Sequence, residues 1–123
     1  MEANKVIYPA LIKKFDKDFL AYVPDLDIKT EGKSESDAIG MARDAISLMV
    51  MNLQDNGEKV PDPSDAGDAI RKAKADADTG LDFTDGFLTF VDADIAVYRQ
   101  RYSNYQIRKN SFAPIRPGGK QEE

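Results

Sequence analysis

The pattern of apolar and polar residues at the start of the chain predicts three strands. Apolar side chains recur at every second position in KVIYPALIKK (5–14) and again in FLAYV (19–23), which is the period of a half-buried strand. The short turn FDKD (15–18) between these segments predicts a hairpin. Ile28 and Thr30 predict a third, shorter strand, which ends at Gly32.

A helical period follows and predicts one long helix over residues 35–56. Ser34 is suited to cap its N-terminus, and the Asn56-Gly57 pair is suited to the left-handed backbone that ends a helix. On a helical wheel the apolar residues form one stripe that is wide enough to cover a sheet, namely Ala38, Ile39, Ala42, Ala45, Ile46, Met49, Val50 and Leu53.

Three further apolar residues, Met41, Leu48 and Met51, lie on the opposite side of this wheel. A helix that covers a sheet turns this side toward water, where apolar patches mark contacts. Two interpretations are open: either another part of the chain covers these residues, or they bind a second copy or another protein. In the second case we expect a self-association surface, with a homodimer or a larger assembly.

The remainder of the chain predicts a connector, a fourth strand and a short helix. Residues 61–86 are rich in Asp, Ala, Gly and Pro; a short helix capped by Asp65 or Asp68 is possible there, but a solvated loop is favoured. Apolar alternation returns in GFLTFVDAD (86–94), followed by a short helix with Ile95, Tyr98 and Tyr102 on one face. We expect one domain over 1–104 that includes the connector, and a basic, disordered tail over 105–123.

Composition removes most enzymatic interpretations. The chain has neither histidine nor cysteine, so it lacks the commonest general base, the commonest zinc ligand and thiol chemistry. Its aspartates do not have the spacing of a calcium loop, and we expect no catalytic residue, no metal site and no cofactor. No apolar run approaches the ~18 residues of a membrane span, and the start of the chain does not resemble a signal peptide, which predicts a cytoplasmic protein.

Charge is distributed unevenly along the chain. Up to Tyr98 there are 11 basic and 20 acidic residues, a balance of −9, whereas from Arg99 onward six basic residues stand against two acidic ones. An acidic body repels nucleic acid and suits a basic protein partner. The basic tail is suited to contact phosphate or to fold back onto the body.

The ordered motifs resemble a known family. The segments YPALIKKFDKDFLAYVPDLDIKTEG and SESDAIGMARDAISLMVMNLQDNGEKVPDPS resemble the N-terminal domain of HicB-like antitoxins, and the match continues more loosely to NYQIRKN. The resemblance implies an α+β, partial RNase H-like βββαβ unit in which one long helix covers one sheet, and in which the fourth strand lies beside the first. Pro9 would then lie in an inner strand without a backbone donor, so we expect a bulge or an unpaired strand start there.

The resemblance also implies a function, namely the antitoxin half of a toxin–antitoxin pair. Such antitoxins bind a small basic HicA-like toxin, which cleaves RNA, and block its active or RNA-binding surface. The expected contacts are exposed acidic residues of the body with one tyrosine among them: Asp16, Asp18, Tyr22, Asp25, Asp27 and Glu31.

Two other functions stay open. One is a binding module without a toxin that acts by self-association. The other is a metal-dependent nuclease, which requires several carboxylates converging on metal ions. The carboxylates near the predicted strands, such as Asp16, Asp25 and Asp92, fall on turns and strand ends, where they are ordinary turn formers and helix caps.

We therefore predict no hydrolysis of RNA or RNA–DNA hybrids in the presence of Mg²⁺ or Mn²⁺, because the chain lacks histidine and a convergent set of carboxylates. The measurement is a gel-based cleavage assay with EDTA as the control. Metal-dependent cleavage that Asp→Asn substitutions abolish would contradict this prediction.

A second prediction concerns DNA. In many HicB-like antitoxins the segment resembling NYQIRKN leads into a ribbon-helix-helix that reads an operator, whereas here SFAPIRPGGKQEE follows, whose prolines and glycines disfavour helices. We expect only salt-sensitive, nonspecific attraction to DNA at roughly 150 mM salt. In a gel-shift titration with the chain's own promoter, a discrete complex that survives excess competitor DNA would show that this expectation is wrong.

Overall fold

A computed structural model describes residues 4–77, 82–83 and 86–101 of the chain. It has an α+β architecture, as the sequence predicts. A 3₁₀ turn, Pro24–Leu26, joins the second and third strands. The strands and helices are β1 (Lys5–Phe15), β2 (Asp18–Val23), β3 (Ile28–Gly32), α1 (Glu35–Asp55), α2 (Ala66–Ala77), β4 (Phe87–Asp94) and α3, which is helical over 95–101.

The four strands form one antiparallel sheet in the order β3-β2-β1-β4. The fourth strand therefore lies beside the first, and this expectation is confirmed. Because α1 connects β3 at one edge to the side of the sheet where β4 lies, it crosses the whole sheet. Its contacts extend from β3 to β4.

Pro9 lies in a continuous register with β4, opposite Phe90, so no bulge is present on that side. β2 begins to pair with β1 only at Leu11, which lies opposite Tyr22. The first half of β1 thus has a neighbouring strand on one side only. A residue without a backbone donor is tolerated there, and of the two expected arrangements the unpaired strand start is the one observed.

The main core lies between the sheet and α1. Ala38, Ala42, Ile46 and Val50 are buried on the sheet-facing side of the helix, as predicted, and they pack with residues of all four strands. The alanines have small side chains, which lets the helix lie close to the sheet. Gly32 is required for the same reason, because a Cβ there would lie only 2.4 Å from the backbone nitrogen of Ala38.

One position of the predicted helical stripe is wrong. Met49 is 36% exposed, whereas Ser47 and Met51 are buried on the other flank of the stripe. The reason is α3, whose Tyr98 packs against the same core and whose Arg99 donates a hydrogen bond to the Met51 carbonyl. The Ser47 hydroxyl is satisfied within α1 by the Arg43 carbonyl.

Both ends of α1 form as the sequence predicts. The Ser34 hydroxyl accepts a hydrogen bond from the backbone N–H of Asp37, and the Asp37 carboxylate accepts one from the backbone N–H of Lys33. The first of these bonds satisfies a donor that the first helical turn leaves without a partner, and the second fixes the chain just before the helix. At the other end Gly57 has a φ of 70°, and Glu58 N–H reaches back to the Leu53 carbonyl.

The expectation of a solvated connector is wrong for residues 66–77, which form α2. Asp65 caps this helix by accepting from Asp68 N–H. Ala69 and Ala73 are buried, so α2 lies on the sheet face opposite α1, where Phe83 joins it in a second core. The intrinsic helix propensity of this segment is too low for a stable isolated helix, so its stability comes from packing against the sheet.

Some expectations fall outside the described residues. These include the remainder of the short C-terminal helix at Tyr102, the tail over 105–123, and Asp78 and Asp85 of the connector. Within the part of the chain that the structure describes, no helix combines the length and the apolar content that a membrane span requires.

Candidate partner-binding surfaces

The six residues expected to contact a partner do not share one surface. Asp16 and Asp18 lie at the β1–β2 turn, and Glu31 lies beside them opposite Leu20. Asp25 and Asp27 lie at the other end of β2, whose six residues span roughly 17–20 Å. The carboxylates therefore form two groups at opposite ends of β2.

Asp16 and Asp27 have a role in the backbone. Their φ angles are 56° and 53°, in the left-handed region that aspartate tolerates better than most residues. Asp16 forms the tight turn between β1 and β2, and Asp27 ends the 3₁₀ turn before β3. Both side chains remain exposed, so they are available to a partner as well.

Asp25 and Tyr22 lie inside the fold. Tyr22 is 2% exposed and packs against Phe83 with ring centroids 5.3 Å apart. The Asp25 side chain is only 1% exposed, and its carboxylate accepts hydrogen bonds from the Lys72 ammonium, the Ser64 hydroxyl and the Ser64 backbone N–H. A partner cannot reach either side chain without displacing α2, whose Lys72 holds the carboxylate.

The environment of Asp25 favours its charged form. Burial alone raises the pKa of this carboxyl, but the hydrogen bonds from Lys72 and Ser64 and the charge of Lys72 outweigh burial and hold the pKa below its usual value of 3.8. Asp25 therefore joins the turn after β2, the connector and α2 through one ionised group. Its function in this structure is to hold α2 on the sheet.

The β1–β2 turn is not an acidic surface. Lys33 forms an ion pair with Asp18 at 3.5 Å, and two further lysines, Lys14 and Lys17, lie in the same turn region. The carboxylates of Asp16 and Asp18 thus stand among at least as many positive charges. Whether they or Glu31 contact a partner stays a prediction, but the charge of this surface does not favour a basic partner.

The expected self-association patch is only partly present. Met41 and Leu48 are 43% and 40% exposed, as predicted, whereas Met51 is 6% exposed and belongs to the main core. Met51 therefore cannot be part of the exposed patch. Among the described residues neither α2 nor α3 buries Met41 or Leu48, so the helix presents them to water.

The outward side of α1 combines these two residues with acidic ones. Asp37, Met41, Asp44, Leu48 and Asp55 recur at intervals of three, four or seven residues, which places them along one line of the helix, and all five are exposed. We name this set the outer line of α1. The helix contains four acidic residues and one basic residue, Arg43, which bonds to Asp92 on β4.

A groove of about 680 Å³ lies between the first half of β1 and the loop that follows α1. Tyr8 borders it and donates a hydrogen bond to the Pro61 carbonyl. Burial, together with the charges of Asp25 and Asp62, raises the pKa of Tyr8 to about 12, so its hydroxyl stays protonated and holds the loop. Among the residues that the structure describes, no three potential ligands lie close enough to hold a metal ion.

The fold is similar to those of solved antitoxin and toxin–antitoxin structures. A chain of a toxin–antitoxin complex from Streptococcus pneumoniae superposes with a TM-score of 0.64 at 24% sequence identity, over 76% of this chain and 72% of that chain. The antitoxin HicB of Burkholderia pseudomallei superposes with a TM-score of 0.56 at 22% sequence identity, over 73% of this chain and 63% of that chain. A chain of the HicA3 and HicB3 toxin–antitoxin complex superposes with a TM-score of 0.53 at 27% sequence identity, over 72% of this chain and 99% of that chain.

These likenesses confirm, at the level of the fold, the resemblance to HicB-like antitoxins that the sequence indicated. The match spans less than two thirds of the Burkholderia antitoxin, 63% of its chain. No protein-family model matches the chain, and no curated protein matches it in sequence.

Sequence patterns alone did not reveal two features of these surfaces. The first is the buried carboxylate of Asp25, whose partners Ser64 and Lys72 lie 39 and 47 residues away in the chain. The only local signal was the PDL corner itself. The second is the acidic outer line of α1, whose aspartates lie outside the apolar stripe of the helical wheel.

We predict that Asp25→Asn lowers the free energy of unfolding at neutral pH by about 1–3 kcal/mol, because the amide cannot replace a charged acceptor of three hydrogen bonds. The pKa of Asp25 is depressed in the folded protein, so its contribution is complete above about pH 4 and is lost as the pH falls through the lowered pKa. The Asn variant should lack this part of the acid dependence in urea unfolding experiments.

The matched control is Asp68→Asn, which removes an exposed carboxylate of α2 that pairs with Arg71. Exposed pairs contribute little, so this change should cost less than about 0.5–1 kcal/mol. Equal effects of the two substitutions would contradict the role assigned to Asp25.

Proposed function

We propose that this chain is the antitoxin of a toxin–antitoxin pair, and that it binds and neutralises a small, basic, HicA-like RNA-cleaving toxin by covering its active or RNA-binding surface. The observation that carries the proposal is the likeness to a chain of the HicA3 and HicB3 complex, which extends over nearly all of that chain. A toxin of this kind acts on RNA in the cytoplasm, and the antitoxin acts in the same compartment.

The outer line of α1 is the surface that suits such a toxin best. A protein that binds RNA presents positive charge, and this line offers Asp37 and Asp44 with Met41 and Leu48 beside them. Asp55 at its end is exposed as well, but it already pairs with Arg99 at 2.8 Å. Exposed apolar side chains supply contact area, and the carboxylates around them select a basic partner. The β1–β2 turn, with Asp16, Asp18 and Glu31, is the second candidate, and its lysines weaken it.

The positions of the acidic residues support a non-enzymatic role. Asp92 pairs with Arg43 at 3.4 Å, and Asp94 accepts a hydrogen bond from Val97 N–H at the start of α3. Asp16 and Asp27 hold turns, and Asp25 holds α2. These carboxylates stabilise the fold at separate places and do not converge as a two-metal nuclease site requires.

The experiment pairs this chain with the product of a neighbouring short reading frame that encodes a small basic protein. We predict that co-expression restores growth of a bacterial host that the basic protein arrests, and that the two proteins co-purify. Asp44→Lys combined with Leu48→Lys should weaken binding at least about tenfold, which corresponds to about 1.4 kcal/mol, in titration calorimetry.

The matched control carries the same number of substitutions on the other candidate surface, Asp16→Lys with Glu31→Lys. It should change the affinity by less than about threefold, or roughly 0.6 kcal/mol. If only the control loses binding, the toxin contacts the β1–β2 turn instead of α1. If the wild-type chain neither binds nor neutralises the basic protein, the antitoxin proposal is wrong.

A further inference from the structure

The two edges of the sheet differ in how they are protected against pairing with another strand. β3 forms one edge with only five residues, and it carries Lys29 and Glu31, which disfavour pairing with a neighbour. β4 forms the other edge with eight residues, FLTFVDAD, and it contains no proline, lysine or arginine. Among the described residues β4 pairs only with β1, so no strand lies beside its outer edge. At the Asp92 end of this edge the Arg43 side chain donates a hydrogen bond to the Asp92 carbonyl, which leaves the Phe87–Phe90 part as the open part of the edge.

Large apolar side chains flank the open part of this edge on both faces of the sheet. Phe87, opposite Ile12, lies on the α1 face and is 43% exposed. Phe90, opposite Pro9, lies on the other face and is 47% exposed, with Ile7 of β1 equally exposed near it. A long edge strand with exposed aromatic residues is an arrangement that folded proteins cover with another segment or protect with charges.

We propose that the outer edge of β4 pairs antiparallel with β4 of a second copy, so that two four-stranded sheets form one continuous eight-stranded sheet across a two-fold axis. This inference does not depend on the antitoxin proposal. It also assigns self-association to β4 and leaves Met41 and Leu48 on α1 for a different partner.

Charge along β4 favours a second copy over a basic partner. Both acidic residues, Asp92 and Asp94, lie at one end of the strand, and the two phenylalanines lie toward the other. Antiparallel pairing places the acidic end of one copy opposite the apolar end of the other, so like charges do not meet. A two-fold axis near the middle of the strand also brings Phe90 of each copy close to the other, as an isologous interface requires. Arg43 already pairs with Asp92, which leaves little negative charge for a basic protein at this edge.

The surface area that the two β4 edges can bury limits the affinity of the dimer. A phenylalanine buries about 150–250 Å² when fully covered, so half-exposed Phe87 and Phe90 together contribute on the order of 200 Å² per copy, and Ile7 adds to this. With the backbone of one strand the interface stays near or below the roughly 1,200 Å² that separates transient from stable complexes. We therefore expect a dimer with a dissociation constant in the micromolar range.

Engineered cysteines test the geometry directly, because the chain contains no cysteine of its own. Residues that face each other in an antiparallel pair have Cα atoms about 4.5–5.5 Å apart, within the range of a disulfide. Single substitutions Thr89→Cys, Phe90→Cys and Asp92→Cys in the full chain, under mild oxidation, should give a disulfide dimer at one of these positions, and that position reports the register. Lys29→Cys on the β3 edge is the control and should give no disulfide dimer.

Sedimentation velocity over about 1–300 µM tests the energetics, with circular dichroism to verify folding. The wild-type chain should shift from monomer to dimer, and Phe87→Lys with Phe90→Lys should weaken dimerisation at least tenfold. The matched control Met41→Lys with Leu48→Lys, equally exposed on α1, should dimerise like the wild type. Three results would overturn the proposal. The wild-type chain could stay monomeric at every concentration, none of the β4 cysteines could form a disulfide dimer, or only the α1 variant could lose the dimer.

Discussion

The structure depends on β1, the longest strand, which contributes to both cores and pairs with β2 and β4. Tyr8, Ala10 and Ile12 face α1, whereas Leu11 faces α2. The strict alternation of a strand therefore makes the sheet apolar on both faces, and two covers are required instead of one. The long helix α1 provides the first cover, and the connector between α1 and β4 has to provide the second.

The second cover is held by chemistry that differs from the first. α1 packs through a long apolar stripe and closes its own ends with Ser34 and Gly57. α2 packs on the sheet mainly through alanines. The ionised carboxylate of Asp25 holds this helix in place through hydrogen bonds from Lys72 and Ser64. A buried charge of this kind is costly to leave without its partners, so it fixes where α2 can lie.

The acidic residues of the chain thus divide into those that hold the fold and those that face water. Asp25 is buried, and Asp16 and Asp27 stabilise left-handed turns. The aspartates on the outward side of α1 are exposed, although Asp37 also caps the helix and Asp55 pairs with Arg99, and exposed apolar side chains lie between them. Acidic residues of the same type therefore serve either to stabilise the fold or to face a partner. The net charge of the chain does not distinguish these two roles.

The sequence by itself determined the local elements, because periodicity, capping and turn chemistry act between residues close in the chain. β1 to β4, the limits of α1 and the order of the unit could be predicted from alternation, from Ser34 and from Asn56-Gly57. The fold resemblance rested on these same local motifs. Tertiary structure alone decided the burial of Asp25 and Tyr22, the packing of α2, the burial of Met51 near α3 and the position of β4 at an edge of the sheet. Each of these depends on contacts between segments far apart in sequence, where the same residue is a solvated turn former or a buried anchor according to what the fold brings against it.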